Sequence, residues 1–279
     1  MDISNLFKKT EEKEFTTFPA TLETYAWYKP ILILIIAFVL STLISFAILS
    51  LMGVKTIGEG LFSLIYAAIT MITMIPAIYI GNKLIYKIPF STQIAPIRKW
   101  NWGIYIKAFI ITLIVYGVIS LYPILTSQVK ITNNLPIVIL LLCIILPLLQ
   151  GFAEEYLCRG LLMQSFGSWF KIPIVAIILQ AAIFALMHNY QIYAFISVLC
   201  TGLLYGLITW YGQGLESSSA MHAVNNTFSL LAIGLGLQKE VANSSPYTFI
   251  LNLTITAIPI IIVIILNKYN LIRFESKEK

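Results

Sequence analysis

Glu154, Glu155 and Arg159 stand within six positions of one another, directly after the almost purely aliphatic run Leu135–Gln150. An ionisable side chain at membrane depth costs roughly 2.5–3.5 kcal/mol on insertion scales, so such groups persist when they pair, face a protein interior or do chemistry. Glu155 and Arg159 are spaced i,i+4 with the acid first, the favourable order for a helical ion pair. Glu154 lies about 100° further round the helix from Glu155, so the two carboxylates need not share one environment. One can be held by arginine while the other is free for proton transfer or metal ligation. A buried structural ion pair is the plain alternative on these residues alone.

The chain has two histidines. His188 closes Ile183-Phe-Ala-Leu-Met-His-Asn189, and His222 lies in Ser217-Ser-Ser-Ala-Met-His-Ala-Val-Asn-Asn-Thr227 with Asn226 one turn further on. Both fall in apolar segments at depths near that of the carboxylates, which predicts a shared site from three helices. A carboxylate and an imidazole can together hold a water and take its proton. A second imidazole and a carboxamide can donate to the oxyanion that develops on an attacked carbonyl. Alternatively, Glu154, His188 and His222 would make a zinc site with an open water position. Both routes lead to hydrolysis.

Other intramembrane chemistries are poorly supplied. The aspartyl type needs two aspartates at membrane depth, and the sole aspartate is Asp2. No H-E-x-x-H stretch occurs, against a zincin-like helix. Ser218 is i,i+4 to His222, but a serine–histidine dyad would leave the glutamates idle, and small serines serve helix packing. Gly202-Leu-Leu-Tyr-Gly206 reads as a packing face of the same kind. Cys143, Cys158 and Cys200 are odd in number and lie in apolar stretches, so no disulfide framework is implied.

The elements that must position these residues are membrane helices. Of 279 residues 59% are hydrophobic and 11% charged, far from the soluble norm of about 25% charged. Runs of this length can span only as helices, so the expected fold is all-α and polytopic. About eight spans are predicted, over 30–52, 61–81, 103–126, 135–165, 173–189, 191–211, 215–237 and 246–267, with turn signals such as Lys55-Thr-Ile-Gly58, Gly212-Gln-Gly214 and Asn243-Ser-Ser-Pro246. Met1–Trp27 is polar and lacks a signal-peptide core. The net charge of +6 comes from loops and tails and reads as topology, not nucleic-acid binding. Cations concentrate in the N-terminal tail, in the loop with Lys83, Lys87, Arg98 and Lys99, and in the C-terminal tail, while alternate loops hold only Lys55, Lys130 and Lys239. The positive-inside rule then places both termini in the cytoplasm. Trp100, Trp102, Trp169 and Trp210 are expected in interfacial belts. If the fourth helix runs to about Ser165, Glu154 lies roughly 16 Å inside that end. The expected organisation is a tail (1–29), three leading helices (30–130), a catalytic core (131–267) and a second tail (268–279).

Glu154-Glu-x-x-x-Arg159, Phe184-x-x-x-His188 and His222-x-x-x-Asn226, in that order, resemble the three motifs of the CPBP family. These are the CAAX-protease and bacteriocin-processing membrane proteins, also called Abi and related to the Rce1-type prenyl-protein protease. The resemblance covers about 135–235. It implies an intramembrane endopeptidase open toward the cytoplasm, with Glu154 as general base, His188 positioning the water, His222 and Asn226 as oxyanion site, and Glu155–Arg159 as the orienting ion pair. Such proteins are described both as metal-independent glutamate proteases and as metalloproteases, so zinc stays open as cofactor. The implied partners are the bilayer and a peptide or membrane-protein substrate, with bacteriocin maturation, self-immunity and CAAX-type processing as roles and a bacterial plasma membrane as location. The rival classes are a non-enzymatic immunity or scaffold protein that binds a partner, and a proton-relaying transporter.

Overall fold

The computed structural model describes residues 3–53, 61–126, 128–238 and 245–274. The turn signal at 55–58, half of that at 243–246, and Lys55, Lys239, Lys277 and Lys279 lie outside the described residues. Among the described residues the regular structure is entirely helical. Helix α1 (Lys29–Leu51) opens on Pro30, whose missing N–H costs nothing in a first turn. It packs on α3 (Met74–Ile85), which continues α2 (Leu61–Ile72) as one apolar span broken at Thr73. The Thr73 hydroxyl there meets Ser41 Oγ at 2.7 Å and Ser45 Oγ at 2.9 Å. In lipid, where apolar side chains gain little by leaving the solvent, such hydroxyl contacts and close packing hold helices together.

A short α4 (Ser91–Ile94) precedes α5 (Trp102–Leu125), which is capped by Asn101 accepting from Gly103 N at 2.8 Å. Helix α6 (Ile137–Glu155) passes without a break into a π-helix, Tyr156–Met163, and on into α7 (Gln164–Phe170). From Ala153 to Ser165 every residue of this rod is buried, so it is the core around which the others stand. Lys171, at φ 59°, turns the chain into α8 (Pro173–Leu186), and α9 (Ile192–Gly212) ends on Gln213 at φ 54°. Helix α10 (Glu216–Gly234) lies against α5 and α6, and α11 (Pro246–Lys268) starts in a Ser245/Thr248 capping box and packs on α9 and α5.

All eight expected helices form. Six are long and apolar enough to cross a membrane, Ile137–Phe170 being the longest at 34 residues. The two that fall short are α8, which has 14 residues, and α10, whose first half carries Glu216, three serines and His222. Large apolar side chains face outward on the long helices, among them Phe46, Val118, Leu125 and Ile137. Lipid, not water, is the medium that suits that surface, and the chain is a polytopic integral membrane protein.

The basic segments gather at one end. Phe15 N donates to Gln213 Oε1 at 2.6 Å, Arg98 Nε to Gly212 O at 3.0 Å, and Lys107 Nζ to Leu271 O at 2.7 Å. The N-terminal segment is therefore packed rather than trailing, with Phe15 and Phe18 buried and Thr16 O against Gly167. This corrects the expectation for Trp210. It is buried, not interfacial, because Glu14 Oε2 accepts from its Nε1 at 3.0 Å beneath that segment.

Candidate functional site

The site begins with a close helix crossing. A Cβ on Gly151 would lie 2.7 Å from Ala223 N and 3.1 Å from His222 C, so only glycine lets α6 approach α10 this closely. One turn beyond the crossing, Glu154 and Glu155 come to either side of the His222 ring. His222 Nδ1 is 2.8 Å from Glu155 Oε1, and Nε2 is 3.3 Å from Glu154 Oε2. Glu155 also accepts from Arg159 at 2.8 Å, with both side chains wholly buried. A carboxylate already matched by arginine takes a hydrogen from Nδ1 and so orients the ring, presenting Nε2 to Glu154.

Arg159 is itself held on three sides. Its guanidinium donates to Gly202 O at 3.0 Å and lies 5.1 Å from the centre of the Phe184 ring and 5.9 Å from that of Tyr205. The same two rings flank His222, at 5.8 and 5.5 Å. Gly202 and Gly206 allow this by bringing α9 against α8, since a Cβ at either would press on Ala181 or on Gln180 and Ile177. The packing face read from Gly202–Gly206 is thus present, and it contributes the carbonyl that receives Arg159. The π-helix begins immediately after Glu155, and such i→i+5 turns within α-helices are frequent at functional sites.

Glu154 opens onto a cavity of about 200 Å³, which His188, His222 and Asn226 also line. His188 sits just beyond the end of α8, where its Nδ1 is 2.8 Å from Phe184 O. A carbonyl can only accept, so Nδ1 carries the hydrogen and Nε2 is the acceptor nitrogen. Asn226 Oδ1 accepts from Asn225 at 3.2 Å, and Asn225 in turn accepts from Tyr116 of α5 at 3.0 Å. That relay leaves the Asn226 amide N–H pair as its available group.

The structure therefore brings Glu154, Glu155, Arg159, Phe184 and His222 into one cluster, with His188 and Asn226 on the wall of the same cavity. Among the described residues, no three His, Cys, Asp or Glu side chains converge as metal ligands. Both His222 nitrogens face glutamates, and His188 is tied to its own helix. The zinc set Glu154, His188 and His222 is not assembled in this arrangement. Ser218 is no partner of His222 either: its hydroxyl accepts from Thr209 at 2.8 Å.

Three residues escaped the sequence reading. Gln150 donates to Glu154 Oε1 at 2.8 Å; its signal was a lone polar residue one turn before the acid. Tyr116 and Asn225 had no such signal. Beyond the cluster the walls of the cavity come from Leu64 near the start of α2, Tyr190 before α9 and Asn252 early in α11, on segments at the end of the bundle opposite the basic ones.

A buried Glu–His–Glu–Arg cluster in a polytopic helical protein defines the class: a membrane protein with a cluster of ionisable groups in its interior. Residues 134–228 match the family described as Type II CAAX prenyl endopeptidase Rce1-like, and that segment is similar to its members. It is similar to the uncharacterized protein YyaK of Bacillus subtilis (strain 168), with 27% identity over 189 residues. That match spans 63% of this chain and 63% of the relative, less than two thirds of its length. No solved structure matches the chain.

Proposed function

We propose that this protein is an intramembrane endopeptidase that hydrolyses a peptide bond with water activated by Glu154. The observation that carries the reading is the His222 ring held between Glu155–Arg159 on one nitrogen and Glu154 on the other, at the wall of a cavity of about 200 Å³. The match to Rce1-like endopeptidases supports the same chemistry. In the reaction, Glu154 takes a proton from a water whose oxygen attacks the scissile carbonyl carbon. His188 Nε2 accepts from that water and fixes its approach. The oxyanion receives hydrogen bonds from Asn226 Nδ2 and His222 Nε2. Collapse of the tetrahedral intermediate breaks the C–N bond, and the proton held by Glu154 passes to the leaving amine. Glu155 and Arg159 orient His222 and do not touch the substrate. The substrate is a membrane-associated peptide or protein segment, threaded into a cavity that α2, α9 and α11 help to wall.

The test is cleavage of a fluorescence-quenched peptide panel by purified protein in detergent, comparing wild type, Glu154→Gln and His188→Ala with and without a strong chelator. Glu154→Gln abolishes turnover while leaving peptide binding in place, and the chelator changes nothing. Chelator-sensitive turnover restored by zinc would replace the glutamate mechanism with a metal one. Absence of turnover on every peptide, together with a cellular function untouched by Glu154→Gln, would leave a binding protein.

A further inference from the structure

A second, larger cavity of about 1050 Å³ lies at the basic end, well away from the glutamate cluster. Its walls come from the two ends of the chain: Lys8, Lys9 and Lys13 from the N-terminal segment, and Arg273 from the residues after α11. The tendency of cations to lie on one side of a membrane places basic residues in loops. It does not explain why four from opposite ends of the chain converge on one hollow. Among the described residues none of these four is ion-paired with a carboxylate. Lys8 donates to Ser4, Lys13 lies over the Phe18 ring, and all four are exposed.

The negative groups in the same walls are already engaged. Glu14 is buried and accepts from Trp210 and Thr16, and burial raises its pKa, which favours its neutral form. Glu12 is exposed and is the one carboxylate of the walls left to oppose the four cations. Arg98, the fifth cation, is spent on Glu216, whose two oxygens it meets at 2.5 and 2.7 Å. The carbonyl of Gly212 at the end of α9 is covered by Arg98 as well.

The segments that form the walls also carry bare apolar side chains. Ile3 and Phe7, either side of Asn5 on the short N-terminal helix Ile3–Phe7, are 67% and 65% exposed, and Leu271, next to Asn270, is 60% exposed. Cations in a hollow whose wall segments also expose apolar side chains match a ligand that is anionic at one end and apolar at the other.

We propose that this cavity binds the phosphate-bearing headgroup of an anionic lipid, with the acyl chains lying along Ile3, Phe7 and Leu271. A lipid seated there would join the N-terminal segment to the ends of α9 and α11. The proposal is independent of the hydrolytic reading, because none of its residues belongs to the glutamate cluster.

The experiment uses full-length protein in detergent, titrated with short-chain phosphatidylglycerol, short-chain phosphatidylcholine or inorganic phosphate, and follows thermal stability and bound lipid by native mass spectrometry. The comparison variant replaces Lys8, Lys9, Lys13 and Arg273 with Gln. Since all four are exposed, it folds, and a second variant with Lys83, Lys87, Lys99 and Lys130 replaced by Gln, also exposed and outside the hollow, controls for net charge. Phosphatidylglycerol is expected to stabilise the wild type and the control alike. The fourfold variant binds it at least about tenfold more weakly, as a contribution of about 1 kcal/mol per cation near an anionic surface implies. Equal binding of phosphatidylcholine, or undiminished binding by the fourfold variant, overturns the proposal. So does inorganic phosphate competing fully at the same concentrations, which would assign the hollow to a free anion.

Discussion

Gly151→Ala tests whether the α6–α10 crossing is what builds the site. The added Cβ would lie 2.7 Å from Ala223 N, and ordinary contact begins near 3.4 Å, so the two helices must part by about 0.7 Å. The atoms it meets are backbone, so no rotamer change relieves the clash. His222 rides on α10 and both glutamates on the α6 rod, so the separation falls directly on the contacts at 2.8 and 3.3 Å. The stability effect is a balance. Overpacking of this kind costs typically 1–3 kcal/mol, and alanine regains up to about 1 kcal/mol over glycine in a helix. A net loss of about 1–2 kcal/mol is expected, small enough for the variant to be purified and assayed. The catalytic effect is larger, because a misplacement near 1 Å can cost about 100-fold in rate. On the proposed reading, cleavage falls several tens-fold while the melting temperature in detergent falls only a few degrees. Full activity with an unchanged melting temperature would refute the idea that this crossing sets the distance between His222 and the glutamates.

Two further outcomes follow from named contacts. Arg159→Ala leaves Glu155 wholly buried and without its cation, a change that costs about 3–5 kcal/mol when one partner of a buried pair is lost; Glu155→Gln with Arg159→Met should recover much of that stability by removing both charges, as thermal unfolding in detergent will show, and recovery no better than in Arg159→Ala would mean that the pair is not the source of the loss. On the orientation that the charge rule predicts, with both termini in the cytoplasm, the cavity wall at Asn252 lies toward the outside. Asn252→Cys, in a protein whose three native cysteines are replaced by Ala, is then labelled in whole cells by a membrane-impermeant maleimide, while Asn5→Cys is labelled only after lysis; the opposite pattern would invert the topology.

What could be read from sequence was what covalent order and local spacing control. Eight helices follow from the apolar runs, and the Glu155–Arg159 pair follows from i,i+4 geometry. The proximity of His222 to the glutamates followed from polar groups at similar depths, each needing a partner in lipid. Tyr116 and Asn225 stayed hidden because their roles depend on how α5 rotates against α10, which no local pattern encodes. Trp210 was misread for a related reason. An indole near a helix end suits a membrane interface, and only the fold-back of residues 10–18 makes that end an interior.

The same fold-back closes the basic end. Depth along a helix can be counted from sequence, but which end of a cavity is closed depends on what lies across it. Here Phe15, Phe18 and Glu14 cover the basic end, where Gly167 admits Thr16 at backbone contact. The opposite end, between the starts of α2, α9 and α11, leaves the hollow that reaches Glu154. The N-terminal segment forms a wall of the basic hollow. On the proposed reading, a lipid bound there favours the folded-back state of that segment. Linkage makes the relation reciprocal: any substrate that needs the segment in place would tighten lipid binding, and any that needs it displaced would weaken it.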